Sequence, residues 1–164
     1  MVAVLSFGSC MGDSAALVRR AEDAVAAIPG IRELARSSLY ETEAVDVPEQ
    51  FADVKFVNAV AAYETSLAPE GLSLAVHGVE DSLGRKRSGL RHEPRTMDID
   101  IVVCGDELRD SPELRLPHPE AARRRFVMEP LAEIMPGFIL PGQSRTALEI
   151  ASSLPPRPAA RRLP

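Results

Sequence analysis

The segment that most constrains this fold is 97–104, Met-Asp-Ile-Asp-Ile-Val-Val-Cys. Its β-branched residues favour a strand, and side chains alternate along a strand, so Asp98 and Asp100 share one face. Carboxylates on an otherwise apolar strand are costly unless their charge is offset. The preceding residues carry the opposite sign: Arg85, Lys86, Arg87, Arg91 and Arg95 accompany a single acid, Glu93, between 85 and 95. Oxygen-only ligands suit a hard cation such as magnesium, which completes its shell with water and substrate phosphates. Acidic strand and basic loop together point to a metal–polyphosphate site. Residues 101–104 are apolar on both faces, which predicts a central strand and not an edge.

Periodicity orders the rest of the chain. Residues 2–7 form a short apolar run ending in Gly8-Ser9. Asp13 and Ser14 suit the start of a helix whose apolar stripe is Leu17, Val18, Ala21, Ala24, Val25 and Ile28, stopped by Pro29-Gly30. Residues 31–42 read as a strand, 43–55 as a loop and 56–65 as a further strand. On that strand Phe56, Asn58, Val60 and Ala62 share a face. Pro69 suits the first turn of a second helix and Gly84 the residue past its end. After 97–104, three prolines (Pro112, Pro117 and Pro119) exclude one long helix over 107–125. Short helices are expected at 129–135 and 145–153, and the Pro- and Arg-rich tail 155–164 is expected to fray. The resulting order of strand, helix, strand, strand, helix, strand is that of the ferredoxin-like split βαβ core. It predicts an α+β fold: an antiparallel sheet with helices packed on it, then an irregular C-terminal extension. One domain, 1–154, is expected to precede the tail.

Composition narrows the function classes. A length of 164 residues suits a single core, and a net charge of −5 argues against a general nucleic-acid or anionic-membrane binder. The cations are instead local, at 85–95 and 109–125. Cys10 and Cys104 are too few for a disulfide framework and read as small buried residues. There is no basic leader with a long apolar run, nor a stretch long enough to span a bilayer. A soluble cytoplasmic protein is expected, and a monomer.

Further candidates lie outside the acidic strand. Arg85, Arg87, Arg91 and Arg95 carry the guanidinium fork that matches phosphate oxygens, and Gly84 and Gly89 would let their loop close. Basic clusters are otherwise commonly solvated surface. Asn58 beside Phe56 could read a flat heterocycle, one by hydrogen bonds and the other by stacking; alone, the pair would more often be a satisfied core amide and its neighbour. His118, followed by Arg123-Arg124-Arg125-Phe126, could contact phosphate or ribose. The phosphate-binding P-loop and the kinase catalytic loop are both absent.

These residues match a family. Glu80, Gly84-Arg85-x-Arg87, Arg91 and Pro94-Arg95-Thr96-Met97-Asp98-Ile99-Asp100 together resemble the signature of the 6-hydroxymethyl-7,8-dihydropterin pyrophosphokinases. Phe7-Gly8-Ser9, Tyr40-Glu41-Thr42, Phe56-Val57-Asn58, Leu116-Pro117-His118-Pro119 and Arg124-Arg125-Phe126 extend the resemblance over roughly residues 2–140. It implies transfer of pyrophosphate from ATP to the hydroxymethyl group of 6-hydroxymethyl-7,8-dihydropterin, releasing AMP, in folate biosynthesis. Two magnesium ions would be held by Asp98 and Asp100. ATP would be bound by Glu80, Arg85, Arg87, Arg91, Arg95, His118 and Arg124, with Arg85 and Arg95 catalytic alongside the aspartates. Phe56 and Phe126 would sandwich the pterin, and Asn58 with Thr42, Glu43 and Val45 would read its polar edge. The chain departs from the family's usual pattern at Cys10, at Glu43-Ala44-Val45 and at His92-Glu93. Two other readings compete: a pterin- or nucleotide-binding protein that has lost activity, and an RNA-binding module of the same topology. Few aromatics, a negative net charge and two aspartates on the sheet weigh against the second.

Overall fold

The computed structural model describes residues 1–43, 54–85 and 96–164. The elements run β1 (Val2–Ser9), α1 (Ser14–Ala26), β2 (Ile31–Arg36), β3 (Tyr40–Glu43), β4 (Lys55–Thr65), α2 (Pro69–Ser82) and β5 (Asp98–Cys104). A small β6–β7 pair (Arg109–Asp110 and Arg115–Leu116), α3 (Arg125–Ile134), α4 (Ala147–Ser153) and β8 (Ala160–Arg162) follow.

Local chemistry sets the helix ends. The Asp13 carboxylate accepts the Ala16 N–H at 3.0 Å and caps α1. Pro69 opens α2, and Gly84 follows its end with φ +85°, a left-handed conformation that favours glycine. A reciprocal Thr146–Glu149 capping box starts α4. The third helix begins at Arg125, four residues before the expected start at 129, and holds Pro130 inside it. An Arg125–Glu129 ion pair spans that first turn.

The main sheet is antiparallel in every pairing, in the order β5-β1-β4-β3-β8, with β2 also paired to β4. The single strand expected over 31–42 is two strands in line along β4. Between them Ser37 breaks the ladder: its N–H donates to the Val60 carbonyl at 2.9 Å, and its hydroxyl accepts the Val60 N–H at 3.0 Å. This is the ferredoxin-like core expected from the element order.

Three further expectations differ from the structure. First, β5 is the terminal strand of that order, not a central one. Its apolar character comes from cover on both faces. Ile99, Ile101 and Cys104 pack in the cluster that contains Val18, Val25, Leu72 and Val76 of α1 and α2. Val102 and Val103 pack with Val127, Met128 and Leu131 of α3 and Ile150 of α4. In a sequence, burial on two faces and pairing on two edges leave the same apolar run. Second, the tail does not simply fray: Ala160–Arg162 adds to the sheet along β3, and Arg162 reaches Glu133 of α3 at 3.3 Å. Of the cysteines, Cys104 is buried as expected, whereas Cys10 is partly exposed.

Candidate active site

Register gathers the expected residues at one end of the sheet. Gly8 on β1 faces Asp98 on β5 and Asn58 on β4, and Asn58 in turn faces Tyr40 on β3. One rung away, Ser6 faces Asp100 and Val60. Directly opposed residues share a face, so Asp98, Asp100, Asn58 and Tyr40 all project from the face covered by α3 and α4. Phe56 alternates with Asn58 onto that face and is opposed by Thr42. Glu43, the next residue after Thr42, alternates to the other face.

The two aspartates are partly exposed, with side-chain exposures of 30% and 38%. Arg85, just past α2, donates to Asp98 at 2.8 Å and also to Glu80. Glu80 itself is fully buried, and its carboxylate accepts the Ile99 N–H at 2.8 Å. It therefore sits behind Arg85, joining the end of α2 to the start of β5. Across the cleft, Asp100 lies 3.8 Å from His118 Nε2 and 3.7 Å from the Arg124 guanidinium. The His118 N–H donates to the Val102 carbonyl at 2.9 Å, which fixes this segment against β5. His118 Nδ1 accepts the Glu120 N–H at 3.1 Å, so the neutral ring carries its proton on Nε2, towards Asp100. Burial pushes the imidazole below its usual pKa; Asp100 opposes that shift and Arg124 adds to it. The Arg124 guanidinium also lies over the Phe126 ring, 5.6 Å from its centroid.

Asn58 is almost wholly buried, and its Nδ2 donates to Thr42 Oγ1 at 2.7 Å. That bond orients the carboxamide and leaves Oδ1 as an acceptor. Tyr40 donates to Glu133 at 2.9 Å, as does the Ser38 hydroxyl at 2.8 Å, tying β3 to α3. Sequence patterning gave no sign of this tie, because its partners are more than ninety residues apart. Val45, Arg87, Arg91 and Arg95 lie outside the described residues. The described part of the cleft thus offers two carboxylates, flanking cations, one oriented amide and two partly buried phenylalanines.

The sequence model of the 7,8-dihydro-6-hydroxymethylpterin-pyrophosphokinase family matches residues 4–136. A 2-amino-4-hydroxy-6-hydroxymethyldihydropteridine pyrophosphokinase from Pseudomonas aeruginosa is 38% identical over 137 residues, covering 84% of this chain and 82% of that protein. The chain belongs to this pyrophosphokinase family. A Methylorubrum extorquens protein of the same name is 38% identical over 154 residues, covering 94% of each chain. Among solved structures, wild-type Plasmodium falciparum HPPK-DHPS with pteroate superposes with a TM-score of 0.69 at 13% identity, which speaks for the fold alone. The alignment covers 92% of this chain and 42% of that one. In this pyrophosphokinase, no described helix is long and apolar enough to cross a membrane.

Proposed function

We propose that this end of the sheet is where the chain transfers pyrophosphate from ATP to 6-hydroxymethyl-7,8-dihydropterin, its family's reaction in folate biosynthesis. The observation that carries the reading is geometric. One sheet face presents Asp98 and Asp100 on β5 and Asn58 and Phe56 on β4, with His118 and Arg124 against Asp100. In the reaction the hydroxymethyl oxygen forms a bond to the β-phosphorus of ATP. The bond from that phosphorus to the α,β-bridging oxygen breaks, AMP leaves with the electron pair, and the alcohol proton is released.

Asp98 and Asp100 fit a magnesium site. Both are partly exposed oxygen donors on one face, and the cations around them suit a polyphosphate that would share the metal. Among the described residues no three His, Cys, Asp or Glu groups form a metal cluster, so water and phosphate oxygens would complete the coordination. The two aspartates would hold two ions, which when bound neutralise charge on the triphosphate and acidify the acceptor alcohol.

The protein's own groups bind and orient. Arg85 pairs with phosphate oxygens, and Arg87, Arg91 and Arg95 complete those contacts in this reading. His118 and Arg124 hold the nucleotide beside Asp100. Phe56 and Phe126 enclose the pterin, while Asn58, with Thr42, the backbone of Glu43, and Val45, reads its polar edge. Most of the rate then comes from placement and fixed charge, as in other phosphoryl transfers. The reading includes a monomeric cytoplasmic enzyme, with which two unbridged cysteines agree. Asp98→Ala and Asp100→Ala should each lower turnover by about a hundredfold or more, measured as AMP release at saturating substrates. Near-normal turnover in both would sink the metal assignment.

A further inference from the structure

We infer that Gly8 is a positioning residue for pterin recognition: it leaves the space in which the Asn58 carboxamide keeps its reading orientation. This rests on the assignment of Asn58 to the polar edge of the pterin.

Gly8 lies near the end of β1, paired with Asn58 on one side and Asp98 on the other. A Cβ built on Gly8 would sit 2.9 Å from Asn58 Oδ1. That is well inside the roughly 3.5 Å at which non-bonded heavy atoms attract. The glycine is not there for its backbone. Its φ lies outside the left-handed region, in contrast to Gly12, Gly30 and Gly84. Nor does the strand face exclude side chains, because Ser6 carries one a rung away and is itself buried. What the position requires is room.

Asn58 has little freedom to supply that room. The residue is 4% exposed, and its Nδ2 is committed to Thr42 Oγ1. Turning Oδ1 away from a Cβ at position 8 would break or bend that bond, and would also swing the acceptor that a ring N–H or amino group needs. A buried acceptor displaced from its partner loses both affinity and discrimination. The effect should fall on the pterin and spare ATP, although Gly8 is flanked equally by Asp98.

The test compares steady-state KM values for pterin and ATP, measured as AMP release. Gly8→Ala should raise the pterin KM at least tenfold and leave the ATP KM within twofold. It should have no further effect on the pterin KM when Asn58 is already Ser, whose short side chain removes the contact. The Asn58→Ser comparison, with and without Gly8→Ala, decides the matter even if Gly8→Ala alone folds poorly. An unchanged pterin KM in Gly8→Ala, an equal rise for both substrates, or an added loss in the Asn58→Ser background would overturn the inference. A wild-type pterin KM in Asn58→Ala would instead defeat the assignment of Asn58 itself.

Discussion

Glu80 shows how a single buried charge can organise a site from behind. Its carboxylate receives Arg85 from the end of α2 and the Ile99 N–H from between the two aspartates. Glu80→Gln keeps an acceptor for the Ile99 N–H but removes the charge that holds the guanidinium. The expected result is a turnover about tenfold or more lower, with a thermal midpoint within a few degrees of wild type. If Arg85→Ala is made first, Glu80→Gln should cost little more, because residues acting as one unit are not additive. Fully additive losses would contradict that coupling. At this scale the sequence was readable where chemistry is local. Asp98 and Asp100 announce themselves by alternation on an apolar strand. Nothing in the neighbours of Glu80 along the chain reveals that it is buried behind Arg85, and the reason for Gly8 lies across the sheet at Asn58.

At the scale of elements, α1 is joined to β2 by a cluster of opposed charges. Glu22 is fully buried; one of its oxygens accepts from Arg19 at 2.7 Å, and the other has no hydrogen-bond partner among the described residues. Arg36 approaches it at 3.7 Å and is shared with Asp23 and Glu33. Burial raises the Glu22 pKa above its ordinary 4.5, although Arg19 and Arg36 pull the other way. A carboxylate whose folded pKa is raised binds its proton more tightly in the folded state. Its contribution is therefore fully present below the unfolded value of 4.5 and is lost as pH rises through the folded one. The stability of wild type relative to Glu22→Gln should accordingly fall with rising pH across that window and level off above it, as read by urea unfolding from about pH 4 to 8. A relative stability that rises with pH would contradict the account. Elements were legible to the degree that their signals are periodic. The stripe of α1 and the Pro69 start and Gly84 stop of α2 follow from spacing alone. The break at Ser37, the added strand β8 and the edge position of β5 do not, since each depends on what another segment does.

For the whole molecule, both sheet faces are covered, by α1 and α2 on one side and by α3 and α4 on the other. Cover on the second face matters for function. It brings the segment from His118 to Phe126 over the aspartates, so that one face of one sheet can meet a nucleotide and a flat ring at once. The ferredoxin-like order was recoverable from hydrophobic pattern, and the family from spaced motifs. The chemistry needed both, because the fold also suits proteins that bind RNA. A protein of this charge, with carboxylates projecting from the sheet, has a different task from such modules. The most direct measurement is AMP formation from ATP, with magnesium and 6-hydroxymethyl-7,8-dihydropterin supplied or withheld in turn. AMP should form only when all three are present, in equal amount to the pterin pyrophosphate. AMP released without the pterin, or ADP as the nucleotide product, would contradict the account.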